Sequence, residues 1–500
     1  MLVDGDQDVV IVERNDESLT EEKTHTISHK DFSLFHEIVF VAVCSLAQLL
    51  TQAGLGQAMA TAHITGADFG IFSPGELSWF IAAYSLTVGT FILPSGRWGD
   101  LFGSRRVFIA GYTWFGIWSI IAGFSVYSNK MLFHFSRALQ GIGPALLMPN
   151  GLALLAKTYS PGHRKNMAFS VFGSVAPGGF MCGSLFGSIF GQLVWWPWCY
   201  WVMGIVCLLL TVVSSLVIPR RYDGAIPPID KELVAKLDIV GSIIGVIGLI
   251  LFNIAWNQGP SVGWQTPYVY VLLIISVLFF IGFFVHETKF AQYPLVPIDA
   301  ISVDTSYVFA IISAGWASFG IWIYYFWQFM LEIKHHSPLL TAAELSPTAV
   351  SGAVAAITTG VLLSIWPPSN MLFISMIAFC LGNILLATLP VDQIYWAQTF
   401  VSAAIMPFGM DMSFPSATII LSNSMSREHQ GIAASLINTV VNYSVSLGLG
   451  FAGTVESQIN KSGDDLLKGY RSAWYMAIGL STLGIALSTH YIFASRKWKS

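Results

Sequence analysis

Apolar stretches of about twenty residues, the length of a bilayer-spanning helix, recur along the chain, each closed off by a short polar segment. They fall at about 38–60, 76–95, 107–125, 131–155, 167–190, 198–218, 237–257, 268–286, 306–330, 345–365, 370–389, 395–421, 431–454 and 473–494. A helix of that length crosses roughly 30 Å of hydrocarbon and satisfies its own backbone there. The pattern therefore predicts fourteen membrane-spanning helices. The weakest is 345–365, rich in Ala, Thr and Gly; were it not to cross, the C-terminus would change sides. Residues 1–35 are acidic, polar and without periodicity, and are expected to form a disordered tail. No apolar region follows the initiating Met, so no cleavable signal peptide is expected and the first span serves as its own insertion signal. Short alternating segments of the kind that build a membrane barrel are not the pattern here.

Composition narrows the class further. Charged residues make up 10% of the chain, hydrophobic residues 54% and aromatics 14%, with a mean hydropathy of +0.64. Globular chains carry roughly 25% charge. The charges are also unevenly placed: residues 1–37 hold ten acids and three bases, net −7, so the rest of a chain of net −4 is net +3. So few charges cannot cover a water-facing surface of this size. That excludes a cytosolic enzyme, a nucleic-acid binder and a secreted disulfide scaffold. The expected fold class is an all-α polytopic membrane protein surrounded by lipid bilayer. The five cysteines, Cys44, Cys182, Cys199, Cys207 and Cys380, lie in apolar stretches without metal-ligand spacing and read as small buried residues. No metal and no cofactor is expected, and a monomer is.

Lys and Arg set the orientation. With the N-terminus inside, the inner segments hold 18 of them and the outer ones five, Arg137 falling within a span. Both termini are thus expected in the cytoplasm. The long basic loop at 219–236 and two following spans suggest a division into a tail (1–35), a six-helix bundle (36–218), a linker with two extra spans (219–305), a second six-helix bundle (306–495) and a short cytoplasmic end (496–500).

Three stretches carry chemistry. Between spans two and three stands Gly96-Arg97-Trp98-Gly99-Asp100-Leu101-Phe102-Gly103-Ser104-Arg105-Arg106. Inside-positive charge explains the arginines but not Gly96, Asp100 and Gly103 at spacings of four and three. A carboxylate there can cap a helix N-terminus, and arginines can pair with it or with helix C-termini. Span four contains Arg137-Ala138-Leu139-Gln140-Gly141-Ile142-Gly143, with His134 one turn before. Arg137 lies about six residues, roughly 9 Å, below the outer end of that span. It either snorkels or serves a function at membrane depth. Span five has Ala176-Pro177-Gly178-Gly179 followed by Gly183, Gly187 and Gly191, a stripe suited to close helix packing.

The loop and span-four motifs resemble those of the major facilitator superfamily, with Leu101 and Ser104 in places where the family has basic residues. The span-five segment is similar to the antiporter motif of its drug:proton antiporter branch, with Ala-Pro in place of Gly-Pro. Gln52-Ala53-Gly54-Leu55-Gly56-Gln57 and Pro407-Phe408-Gly409-Met410-Asp411-Met412-Ser413-Phe414-Pro415 resemble the fungal subgroup of aminotriazole-resistance (borate-efflux) and low-affinity ammonium transporters. The resemblance covers about 36–495 and implies two bundles that alternate access, with Gly96, Asp100, Gly103, Arg105 and Arg106 as a cytoplasmic gate. Two features depart from the branch. Span one carries Gln48, Gln52 and Gln57 but no acid, and the loop after span ten, Trp366-Pro367-Pro368-Ser369-Asn370, is uncharged.

Asp411 is the one acid that falls well inside a predicted span, where a charge costs about 2.5–3.5 kcal/mol on insertion scales. Pro407 and Pro415 flank it and free nearby carbonyls, so the site can take a proton or a cation. The alternative is a structural ion pair with Arg137. Asp411 and Arg137 are the candidate ionisable residues. Gln48, Gln52, His134, Gln140, Asn438 and Asn442 are candidates for a substrate cavity, the amide pairs equally readable as interhelical hydrogen bonds. The aromatics of span nine, Trp316, Trp322, Tyr324, Tyr325 and Trp327, read mostly as an interfacial belt. Asn460-Lys461-Ser462 is a glycosylation sequon in an outer loop. No phosphate-binding loop is present to use ATP. The expected function is secondary transport of small polar or amphipathic solutes, as proton-coupled efflux. Uptake of ammonium or another small solute is the alternative, and a non-transporting receptor a remote one. The expected location is the plasma membrane, with the vacuolar membrane as the alternative.

Overall fold

The structure, a computed structural model, describes residues 33–159, 163–223, 228, 230–296, 302–424, 430–460 and 465–497. The acidic tail lies outside these, except that its last residues already open the first helix. Every regular element among the described residues is helical. The first half comprises α1 (Leu34–Asp68), α2 (Pro74–Phe102), α3 (Ser104–Phe124), α4 (Lys130–Thr158), α5 (His163–Ile189) and α6 (Pro197–Val217). The linker holds a short α7 (Lys231–Leu237), then α8 (Ile239–Val262) and α9 (Pro267–Lys289). The second half comprises α10 (Val303–Gln328), α11 (Pro338–Leu345), α12 (Pro347–Leu362), α13 (Pro368–Ala387), α14 (Gln398–Ser424), α15 (Gln430–Asn460) and α16 (Leu466–Lys497).

Thirteen described segments are long and apolar enough to cross a membrane. The weak stretch at 345–365 is among them, as Pro338–Leu362, formed by α11 and α12 meeting at Ser346. The fourteenth expected span, 431–454, is not among the thirteen. It forms α15, whose 31 residues extend about 46 Å, enough to cross by length. Local chemistry sets several starts. Ser73, Asn129, Ser302 and Ser337 accept the backbone N–H three residues on, and Pro74 and Pro338 occupy first-turn positions that lack an N–H partner anyway.

Two ends of the molecule can be told apart by contacts. At one, Arg105, Asp223, Val217, His36, Glu37 and Arg164 gather the start of α1, α3 and α5 with the end of α6. At the other, Asp68 accepts from Trp196 Nε1 at 2.6 Å and Lys130 faces Glu76 at 3.6 Å. The first is the basic end. The glycine stripe of α5 packs on α1: Gly179 lies on Leu49, Gly183 on Ala53 and Gly187 on Gln57, too close for a side chain. This is the small-residue packing the spacing suggested.

The aromatics of α10 correct the sequence reading. Trp322, Tyr324, Tyr325 and Trp327 are at most 2% exposed and form the core of the second half, not a belt at the membrane surface. Trp322 Nε1 donates to Ser402 Oγ at 2.8 Å, a partner that lets an indole sit in a core. Exposed apolar side chains lie instead on helices such as α9, whose Val271, Ile274, Leu278, Ile281 and Phe284 face outward, as a lipid-facing surface requires.

Candidate functional site

Arg137 is fully buried in α4 and does not snorkel. Its Nε donates to Phe80 O at 2.8 Å and its Nη2 to Gly54 O at 3.0 Å, while Nη1 donates to Gln140 Oε1. The guanidinium lies over the Tyr84 ring at 4.5 Å and near that of Tyr200 at 5.8 Å. Gln140, also buried, is oriented in turn by donating Nε2 to Ser119 Oγ at 2.7 Å. The cation is thus neutralised by carbonyl dipoles and aromatic faces, and it ties α4 to α1 and α2. No ion pair joins Arg137 and Asp411 among the described residues. His134 Nδ1 donates to Lys130 O, 2.6 Å away in its own helix, and the ring rests on Phe80.

Asp411 sits thirteen residues, about 20 Å, into α14, near the middle of a 27-residue helix. Its Oδ2 is buried and has no hydrogen-bond partner. What it faces is Gly352 of α12 and, beyond it, Pro177 of α5. A methyl group placed on Gly352 would lie 3.3 Å from Asp411 Oδ2 and 2.9 Å from Pro177 Cγ. Pro177 is itself about 21 Å into α5. The acid of span twelve and the proline of the span-five motif therefore both border Gly352 near the middle of their helices, at the seam between the two halves. Two residues on, Ser413 Oγ accepts from Trp316 Nε1 at 3.1 Å, linking the same stretch to α10.

The remaining amides fall elsewhere. Gln48 and Gln52 are half-buried on α1, Gln48 Oε1 without a partner. Asn438 is buried in α15, and its carbonyl accepts Asn442 Nδ2 at 3.0 Å. Asn442 and Thr439 press against Gly89 of α2. The candidates thus occupy separate places along the seam and within the first half rather than one cluster.

The expected loop at 96–106 is a single residue, Gly103: Gly96 to Phe102 complete α2 and Ser104 opens α3, and in the last turns of α2 Asp100 is exposed and forms no ion pair among the described residues. Arg105 turns away from it. Its Nε and Nη2 donate to Ile218 O (2.7 Å) and Ser215 O (2.6 Å) at the end of α6, and Nη1 pairs with Asp223 at 3.0 Å. Arg106 donates to Phe102 O at 3.2 Å and faces Asp223 at 3.9 Å. Gly103, at φ 93°, is pressed on the backbone of Asp223, where any side chain would collide. Gly96 alone approaches the other half, 3.7 Å separating a methyl on it from Ser435 Oγ. Arg97 donates to Tyr293 O and Pro294 O of the linker, at 3.3 and 2.6 Å.

The family model described as Major Facilitator Superfamily matches residues 41–449, and again 307–500. The chain belongs to the Major Facilitator Superfamily. This transporter is 57% identical over 463 residues to the "Low affinity ammonium transporter" of Saccharomyces cerevisiae, covering 93% of this chain and 90% of that one. It is 47% identical to the "Efflux pump terJ" of Aspergillus terreus over 94% and 91% of the two chains. It is 39% identical to the "Aminotriazole resistance protein" of S. cerevisiae over 92% and 85%. The subgroup that the span-one and span-twelve segments resembled is thereby confirmed, as is a transporter rather than an enzyme.

The structure also joins the halves of this transporter where the sequence gave no signal. Beyond the predicted end of span one, α1 continues to His63, whose Nδ1 lies 2.9 Å from Glu332 Oε1 and whose Nε2 is bonded to Gln328 Oε1. Nearby, Ser188 donates to Pro338 O at 3.1 Å and Gln192 Oε1 accepts Leu339 N at 2.8 Å. Four bonds thus clasp α1 and α5 to α10 and α11 at the end opposite the basic one. Next to them Lys334 donates to Gln393 O at 2.8 Å, and burial draws its ammonium below the usual lysine range. A second unforeseen group lies in the linker: Asn253 of α8 accepts from Ser446 of α15 at 3.0 Å and from Asn257 at 3.0 Å. Asn460 of the sequon is buried, donating to Glu456 Oε1 at 2.8 Å; Lys461 and Ser462 lie outside the described residues.

Proposed function

We propose that this transporter exports small polar or amphipathic solutes, aminotriazole- or borate-like, in exchange for protons, with Asp411 as the group that takes the proton. The observation that carries the reading is the partnerless Asp411 Oδ2 at mid-depth against Gly352 and Pro177. A buried carboxylate with no donor is costly as an anion and is relieved by a proton or a cation. Because it lies between α14, α12 and α5, a change in its charge acts directly on the seam along which two bundles, 36–218 and 306–495, rock. Relatives named as an efflux pump and a resistance protein support export. The clasp at His63 closes the outer side, and the junction of α2 and α3 from Gly96 to Arg106, with Asp100 in no ion pair, is the inner gate in its released form. Both termini are cytoplasmic, the host is the plasma membrane and the working unit is a monomer.

A second reading is uptake of ammonium, favoured by the relative of that name. It uses the same acid, with a small cation in place of the proton. Deletion and overexpression strains grown on borate, aminotriazole and methylammonium separate the two. Export predicts resistance to the first two on overexpression; uptake predicts sensitivity to methylammonium and no resistance. Overexpression that changes none of the three phenotypes refutes both.

A further inference from the structure

The linker carries a second buried acid pair, remote from Asp411. Asp238, before α8, and Glu287, near the end of α9, are each 5% exposed. Asp238 Oδ1 caps α8 by accepting Gly241 N at 3.1 Å and also faces His286 Nε2 at 2.8 Å. Glu287 Oε2 accepts Val296 N at 3.2 Å. The other oxygen of each, Asp238 Oδ2 and Glu287 Oε1, is buried without a partner. Both converge on Gly241, where a methyl group would touch the first and lie 2.5 Å from the second. Two orphaned carboxylate oxygens aimed at one gap repel when both are charged; a single proton placed between them removes the repulsion and makes an O–H···O bond.

We propose that Asp238 and Glu287 form a proton-binding site whose proton fixes the strap from Phe290 to Val296 and, through it, Arg97 of α2. The geometry supplies each link. With a proton on Glu287 Oε1 donated to Asp238 Oδ2, Glu287 stays in place and its Oε2 holds Val296 N. The strap then presents Tyr293 O and Pro294 O to Arg97, which stands near the end of α2 beside the expected gate residues. When the proton leaves to water at the basic end, Glu287 is pushed from Asp238, the bond to Val296 is given up, and Arg97 loses its carbonyls. The charged groups on the elements packed around the pair are few. His286 is bonded to Asp238 and Lys289 ends the same helix, exposed; on α7 Lys236 is paired with Glu232 at 2.7 Å and Lys231 opens the helix; α2 brings Arg97, bonded to the strap, and Asp100; and α15 has one charge, Glu456, towards its other end.

Hydrogen exchange of the full-length transporter in lipid nanodiscs, followed by mass spectrometry over 290–296, tests this. In the wild type, protection of the strap is lost on going from acidic to alkaline buffer, beyond the change in intrinsic exchange rate. Glu287→Gln, which donates to Asp238 and still accepts from Val296, keeps the strap protected in both buffers. Asp238→Asn does the same from the other side and stands in if the first variant is poorly expressed. Asp411→Asn leaves the wild-type response intact, which separates this site from the transport acid. Equal responses in wild type and Glu287→Gln overturn the proposal. So does a strap that responds to sodium at fixed pH, since the ligand would then be a metal cation.

Discussion

His63 Nδ1 and Glu332 Oε1 stand 2.9 Å apart on helices from opposite halves of the transporter. The bond crosses the seam at the end away from the basic loops, so it opposes opening there. His63→Ala and Glu332→Gln are expected to favour the state open at that end. A cysteine placed at Gln57, buried on the same helix, would then react faster with a membrane-impermeant maleimide applied from outside. Labelling no faster than in the clasped control, with His63 and Glu332 intact, would remove the clasp from the mechanism.

Asp411→Asn is expected to leave the protein folded and in the membrane while abolishing coupled transport; Asp411→Glu should retain part of it. Wild-type export should rise as the outer medium is acidified, and that dependence should be flat in the Asn variant. Normal transport with unchanged pH dependence would mark Asp411 as a bystander and the protein as a facilitator. Gly352→Leu offers a second check, since any side chain there collides with Pro177. It should slow transport without altering the residue that titrates.

Arg137 should behave differently. Arg137→Gln gives up donors to Phe80 O and Gly54 O, and stranding buried acceptors costs on the order of 2–3 kcal/mol. Thermal unfolding in detergent should report a lower midpoint. Adding Asp411→Asn should not restore it, because the two residues are not paired.

Asn460 should carry no glycan when the protein is made in a eukaryotic host. Its amide nitrogen is buried and donates to Glu456. Endoglycosidase treatment is expected to leave the gel mobility unchanged, whereas a shift would mean that this end of α15 opens during synthesis.

How much of this could be read from the sequence varies by residue. The spans were legible because lipid demands unbroken apolar helices, and every expected stretch is helical. Asp411 was legible as an acid among apolar neighbours, but its apposition to Pro177 depends on how α5 crosses α12, which no local pattern encodes. His63 was missed because α1 overruns its apolar run by two turns, so a residue placed outside the membrane lies at the seam. Trp322 and Trp327 misled because a membrane core and a membrane surface both use aromatics; only their near-complete burial, with a serine receiving the Trp322 indole N–H, tells the two apart. Arg105 was expected at the gate and is a brace within the first half, since its partner Asp223 follows α6, far along the chain.

The hydroxyl of Ser446 lies within bonding reach of both Asn253 of α8 and the carbonyl of Ala82 in α2, at 3.0 and 3.3 Å. One oxygen is therefore shared by a helix from each half and by the hairpin between them. Interhelical polar bonds of this kind are scarce inside a membrane, and each specifies register as well as contact. The hairpin α8–α9 is accordingly no slack tether. It is held where α15 of one half meets α2 of the other, so its removal is expected to change how the two halves pack together and not merely to shorten the chain.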